Sequence, residues 1–350
     1  MATQQKQRLP YIDFMKGVCI MLIVLQHIDV VGDFFVSIHI KLNPTLQSFR
    51  IPMYYFLSGI FFKTYDGFGD FLRRKVNNMI VPLLFFEMLC LLIAWLVALY
   101  KQSHGIDSTM GFSWAYLFDP LISRSWHYTM PMWFLLSLFE VNVLFYLIHK
   151  YLASVLWRVA AVLLLAAVGF ALARYRCQLP LQFDTALVAL PYFCLGWFVK
   201  QKGVLAPSSH DRWGLLIFPL VMVFVFFFSQ GFGIHQQELP NWLKLYCIPF
   251  MAILSMFWAC KNLPRVPVVT YFGRYSLVIL CTHILFCVQM RAVAAALGVH
   301  GSRWITFAAF LITMAVEVVV IAVFIRLFPR FTAQKEFFKR GWRLCDGDEQ

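Results

Sequence analysis

Charged and polar side chains in the middle of apolar stretches are where this chain can do chemistry. The first such stretch reads YIDFMKGVCIMLIVLQHIDVV and carries Asp13, Lys16 and His27. An ionisable group in a membrane helix is costly and marks a functional site by default. Lys16 and His27 are eleven residues apart, a rotation of ~1100°, within ~20° of three full helical turns, so they share one face at a separation of ~16 Å. Asp13 lies one turn before Lys16, close enough to pair with it. An imidazole, with an ordinary pKa near ~6.5, suits proton transfer at neutral pH. The plain alternative is a lysine that snorkels to the surface and a histidine hydrogen-bonded between helices.

Further polar groups reach similar depth when each helix is measured at ~1.5 Å per residue. Glu87 and His283 lie ~16 and ~18 Å from one end of their spans, Glu140 and Ser58 ~15 and ~12 Å from the opposite end. The sequence thus predicts a central polar site made by His27, Ser58, Glu87, Glu140 and His283. For Glu87, Glu140 and Glu317 an equally good reading is that they pair only to hold helices together.

The elements that position these residues are helices. The 350 residues are 61% hydrophobic and 13% charged, against about 25% charged in a soluble domain. The apolar residues fall in blocks as long as the ~20 residues that cross a hydrocarbon core. We read ten spans, roughly 11–31, 50–63, 76–100, 130–149, 154–173, 183–200, 213–230, 241–260, 271–292 and 303–328. The second is short and holds Pro52 and Gly59, as a broken or buried helix would. The expectation is one all-α integral-membrane domain over 1–350, with its core at about 11–328 and a tail at 329–350. No repeat, soluble domain or cleavable signal peptide is expected, since the first span contains Asp13 and Lys16 and lacks a small-residue cleavage site. The nine cysteines form no CxxC pair. Cys19, Cys90, Cys194, Cys247, Cys260, Cys281 and Cys287 sit in apolar segments and read as small buried hydrophobes, so no metal site is expected. With the N-terminus inside, 21 of the 30 Lys and Arg fall on the cytoplasmic side and 9 outside. Both termini are therefore predicted to be cytoplasmic. The net charge of +13 then follows from topology, with no nucleic-acid footprint.

Five segments, in order, resemble a known family. YIDFMKGVCIMLIVLQH resembles the first-helix motif of the acyltransferase 3 family, in which a basic residue precedes a catalytic histidine by eleven positions. FRIPMYYFLSGIFF (49–62) is similar to its proline-to-Ser-Gly second helix, and FLRRKVNNMIVP to its basic inner loop. MWFLLSL (132–138) resembles its Trp-Phe-Leu stretch, and YFGRYSLVILCTH (271–283) its late Gly-x-x-Ser-Leu…His signature. The resemblance covers nearly the whole chain and implies a multi-pass O-acetylase of surface polysaccharides in a bacterial cytoplasmic membrane. Two departures stand out. The usual first-helix arginine is Lys16, as in the branch resembling fucose 4-O-acetylases, which keeps the charge and loses the bidentate fork. The usual Arg-x-x-Arg is incomplete, because Lys75 is followed by Asn78, with Arg73 and Arg74 able to compensate.

The implied reaction moves an acyl group from acyl-coenzyme A to a carbohydrate hydroxyl. It needs a base for the hydroxyl proton and a donor for the oxyanion. His27 is the expected base. Ser58 and His283 are candidates for orienting substrate or His27, and Glu140 completes the catalytic set. Ser58 lacks the Gly-x-Ser-x-Gly setting of a nucleophilic serine. Lys16, Arg73, Arg74 and Lys75 are expected to meet the donor's phosphates, although a basic inner loop is also plain topology. Acyl-CoA is expected as a substrate, with no tightly bound cofactor. The expected acceptor is a lipid-linked or surface glycan, with Trp114, Tyr116, Trp126 and Tyr128 available to stack on sugars or to form an interfacial belt. The rival readings are a transporter of a glycan or small anion and a non-catalytic partner in glycan assembly.

Overall fold

A computed structural model of the protein describes residues 9–28, 42–105, 113–122, 124–126, 129–206, 208–264, 266–299 and 303–339. Tyr128, residues 29–31 of the first predicted span, and 340–350 of the predicted tail lie outside the described residues. In chain order the helices are α1 (Pro10–Ile28), α2 (Leu42–Ile60), α3 (Phe68–Lys75), α4 (Val81–Ser103), α5 (Asp119–Ile122), α6 (Trp133–Tyr151), α7 (Val155–Arg174), α8 (Phe183–Gln201), α9 (Gly214–Phe228), α10 (Trp242–Asn262), α11 (Pro267–Arg274), α12 (Ser276–Ala296) and α13 (Arg303–Leu327). Among the described residues there is no strand, only an isolated bridge between Gly233 and Glu238. The protein is an all-α, multi-pass membrane protein.

Side-chain bonds sort the helix ends onto two faces. On the proximal face, the Tyr11 hydroxyl donates to the Leu205 carbonyl at 2.8 Å, Lys200 donates to the Phe62 carbonyl and Arg73 to that of Phe338. The first and last described helices therefore begin and end on the same side. On the distal face, Thr45 meets Ser229 at 3.2 Å and Arg124 pairs with Asp184 at 2.7 Å. Among the described residues ten helices run between the faces: α1, α2, α4, α6 to α10, α12 and α13.

Nine candidate spans among the described residues are long and apolar enough to cross a bilayer. The tenth crossing helix, α2, is too polar to be counted with them. It is also longer than the 50–63 expected from sequence: it starts at Leu42 and continues through Pro52 to Ile60. Its Phe49, Met53, Tyr55, Phe56 and Leu57 are buried, so protein and not lipid surrounds it, and a polar sequence is tolerated there. Helices α7 and α9 are the reverse, turning Leu156, Leu164, Leu220 and Phe227 outward as lipid-facing surface. Cys247 on α10 is also exposed instead of buried as its apolar setting led us to expect. The other six cysteines expected to be buried are so.

Glycines fix how the site-bearing helices sit. A Cβ on Gly17 of α1 would lie 2.0 Å from the Val269 carbonyl oxygen of α11, and one on Gly273 of α11 would lie 1.7 Å from that of Asp13. The same reciprocal crossing joins α2 to α8. A Cβ on Gly59 would come 2.0 Å from the Phe193 oxygen, and one on Gly196 1.9 Å from the Phe56 oxygen. Small residues let backbones touch, as membrane helices require when no hydrophobic force drives them together. Of the two readings the sequence left for the segment with Gly59, a broken or a buried helix, the structure has the second: Gly59 is a contact point inside a continuous helix.

Candidate active site

The residues just before these glycines face inward. Lys16 precedes Gly17 and Ser58 precedes Gly59, and both line a cavity of about 340 Å³. With one side of α1 pressed on α11 and one side of α2 on α8, the neighbouring positions turn to the space between α1, α2, α6 and α12. That cavity is also lined by His27, Tyr54, Lys75, Asn78, Trp133 and Ser276. Tyr54 donates to the backbone carbonyl of Lys16 at 2.9 Å and so ties α2 to α1 across it. The Lys16 ammonium lies 5.3 Å from the Phe61 ring centroid.

His27 stands in the last described turn of α1, nearer the distal end than the mid-bilayer depth expected of it. Arg291 of α12 donates to its backbone carbonyl at 2.6 Å, and the His27 and His283 rings are 5.3 Å apart. His283 is fully buried. Its Nδ1 is 2.7 Å from the Ile279 carbonyl oxygen, and a carbonyl only accepts, so Nδ1 carries a proton. In the neutral ring Nε2 is then a bare acceptor, and it has no hydrogen-bond partner among the described residues. Ser58 receives a 3.4 Å contact from the Asn142 amide, which itself bonds the Leu138 carbonyl at 2.7 Å.

The proximal end of the cavity is built by an irregular backbone. Between α3 and α4 the chain makes a π-helical turn, Val76–Ile80, of the kind frequent at functional sites. Through it Lys75 and Asn78 face the cavity. Asn77 faces away, accepting from the Phe337 and Phe338 amides and donating to the Phe338 carbonyl. Lys75 is 7% exposed, has Phe71 as a ring neighbour at 5.5 Å, and has no hydrogen bond or ion pair among the described residues.

Other predicted site residues are placed elsewhere. Arg73 bridges Asp70 and Glu336, each at 2.7 Å, and Arg74 bonds Asp70 at 2.8 Å. Neither lines the cavity, because these carboxylates draw both guanidiniums to the proximal surface. Glu140 also stays off the cavity, with one carboxylate oxygen buried and without a hydrogen bond among the described residues. Glu87 and Glu317 act between helices: Thr129 donates to Glu87, and the Thr282 hydroxyl is 2.9 Å from both Glu317 oxygens. Among the proposed sugar-stacking aromatics, Trp126 is buried and Trp114 lies 6.3 Å from Trp95. No cluster of His, Cys, Asp and Glu able to hold a metal exists among the described residues.

Sequence reasoning passed over Tyr54, Asn78, Trp133 and Ser276 as cavity residues. All four stood inside the quoted motifs: Trp133 and Ser276 as motif positions without a role, Asn78 as the missing second arginine, and Tyr54 unremarked. It also missed a distal polar network. Arg124 donates to Asp184 at 2.7 Å, to the Gln182 side-chain oxygen at 2.8 Å and to the His235 carbonyl at 3.1 Å. His235 Nδ1 bonds the same Gln182 oxygen at 2.8 Å. Burial first, then the Arg124 charge, push the His235 imidazole down to about 4, so at neutral pH an uncharged ring stacks on Trp133 at 5.1 Å. Arg124, the Gln182–Asp184 stretch at the start of α8 and His235 come from separated parts of the chain with no regular spacing between them.

No curated protein and no solved structure matches this chain. A family profile described as an acyltransferase domain matches residues 9–323, which takes in every side chain of the cavity. With nine-tenths of its length under that one profile, the chain belongs to the acyltransferase 3 family.

Proposed function

We propose that the protein moves an acyl group, acetyl in the simplest case, from acyl-coenzyme A to a hydroxyl of a lipid-linked or cell-surface carbohydrate. It would do so in a bacterial cytoplasmic membrane with its proximal face, and both termini, toward the cytoplasm. The observation that carries the reading is one cavity with Lys16 and Lys75 lining it together with His27. The nearly buried Lys75 ammonium, which has no hydrogen bond or ion pair among the described residues, calls for an anion, and the phosphates of the donor supply one.

In this reading the donor enters from the proximal face, its phosphates at Lys75 and Lys16, its thioester toward His27. His27 takes the proton of the acceptor hydroxyl as that oxygen attacks the thioester carbon. The tetrahedral oxyanion is stabilised by the Ser58 hydroxyl. Collapse breaks the C–S bond, and the departing thiolate takes the proton back from His27, which restores the base. His283 is fully buried and does not line the cavity; its bare Nε2 acts through His27, by orienting that ring. Arg73 and Arg74 would act at one remove, by holding α3 against the chain's end. Glu140 has no step in this scheme.

The test is acceptor-dependent thiol release by the purified protein supplied with acetyl-CoA and a panel of mono- and oligosaccharides. Folded protein that releases no thiol above background with any acceptor would overturn the reading. Reporter fusions at residue 350 and within 101–129 should fall on opposite sides of the membrane.

A further inference from the structure

A second cavity, of about 440 Å³, opens on the distal face between the α7–α8 and α9–α10 connections. Its walls are polar: Arg174, Arg176, Gln178, Gln230, Gln236 and Glu238. All six are charged or amide groups, of the kind that hydrogen-bond a carbohydrate. An amide offers a donor and an acceptor together, and a guanidinium a planar fork of donors, which suits vicinal hydroxyls. These side chains are exposed.

That network joins this cleft to the site. Gln237 lines the cleft and donates to Asp184 at 2.9 Å. Asp184 holds Arg124, Arg124 holds Gln182, and Gln182 holds His235. His235 stacks flat on Trp133, and Trp133 lines the first cavity. Two atoms along this path, Nε2 of Gln182 and Nε of Arg124, are buried without a hydrogen-bond partner among the described residues. The backbone there is strained as well. Seven described non-glycine residues have positive φ; four of them (Arg124, Arg176, Gln182 and Gln237) belong to this cleft and network, and a fifth, Leu181, precedes Gln182 in the chain. Left-handed backbone at such residues costs energy and persists where surrounding structure enforces it, commonly at binding and catalytic sites.

We infer that the distal cleft is a subsite for an acceptor glycan longer than one sugar. It holds residues of the chain beyond the sugar whose hydroxyl reaches His27, and the Gln237-to-Trp133 path fixes the spacing between the two cavities. This rests on the acceptor being a carbohydrate, as proposed above. Its consequence is that the enzyme acts on assembled oligosaccharide or polysaccharide and binds a free monosaccharide poorly.

Binding can be read apart from turnover. The full-length His27→Ala protein in detergent would be titrated with defined mono- and tetrasaccharides of fucose, rhamnose, galactose and N-acetylglucosamine immobilised on biosensor tips. The same titrations would be run with Gln236→Leu and with Arg176→Asn, asparagine being tolerant of the left-handed backbone at that position. At least one tetrasaccharide should bind at least tenfold tighter than its monosaccharide, and each cleft substitution should remove about tenfold from the tetrasaccharide alone. Equal binding of the two lengths would overturn the inference. So would cleft substitutions that weaken both lengths alike or neither. If cleft-dependent tetrasaccharide binding holds while the parent protein releases no thiol from acetyl-CoA with any acceptor, acyl transfer fails and the glycan subsite stands.

Discussion

Replacing Lys75 by methionine separates what this residue does for folding from what it does for the donor. Methionine keeps the length of the side chain and removes the charge. In the folded protein the ammonium is 7% exposed, with no carboxylate or carbonyl partner among the described residues. Burying a charged group without compensation is unfavourable by at least about 1 kcal/mol even where water reaches it in part. Lys75→Met should therefore leave thermal stability in detergent unchanged or raise it. For the donor the sign is opposite. A charge-assisted hydrogen bond to a phosphate is worth about 1.5–3 kcal/mol, which is roughly a tenfold to hundredfold loss of affinity. The contact is remote from the breaking C–S bond and is made equally in ground and transition states, so the loss should appear in KM for acyl-CoA and leave kcat nearly intact. Thiol release against donor concentration, with a melting curve on the same preparation, reads both quantities. A variant that melts well below the parent and keeps its donor KM would refute the reasoning, because Lys75 would then be a structural residue with a partner.

His27→Ala should fold normally and lose about 10²–10⁴-fold in turnover, the usual cost of removing a general base; thiol-release rates on a monodisperse preparation check this. Gly17→Ala should be among the most damaging small changes. Its Cβ meets a backbone oxygen at 2.0 Å, so α1 must move bodily from α11, with a loss of at least about 1–3 kcal/mol from overpacking that melting curves would register. Stability should also fall in mild acid because of His235. Its folded pKa is pushed down to about 4, while the unfolded imidazole titrates near ~6.5. Below that upper value the unfolded state binds a proton the folded state refuses, so the loss begins there and continues down to the folded value. At pH 5 it amounts to at most about 2 kcal/mol, and His235→Gln should flatten the melting-temperature profile between pH 7 and 5.

The parts of the site legible in sequence are those carried on one helix. The eleven-residue spacing put Lys16 and His27 on one face, and both line the cavity. Ser58 was found through its Ser-Gly step, although the use of that glycine, contact with α8, needed the partner helix to be seen. The basic run at 73–75 was read as four-residue charge chemistry with Lys16, yet its members part company. Two find carboxylates at Asp70 and Glu336, and Lys75 does not. Part of the signal was local and went unused: Asp70 stands three and four positions before the two arginines, within helical reach, and five before Lys75; the rest was not, because Glu336 is over 250 positions away. Hydropathy found the lipid-facing helices α7 and α9 readily. It clipped α2, whose polar first half is sheltered by protein. The distal network joins residues near 124, 182 and 235, and no periodicity links loops that meet only after the helices have packed.

The π-helical turn before α4 amounts to one residue more than an α-helix would use over the same path. Deleting a single residue from Val76–Ile80 would let the helix run through in regular α form, and everything before it would rotate by about 100° relative to α4. Lys75 would swing out of the cavity, and Asn77 would leave the Phe337 and Phe338 backbone it clasps. The extra residue is thus a mechanical coupling. It sets in one place the direction in which a cation points and the anchorage of the chain's end, so neither can be altered there by a change of length without the other.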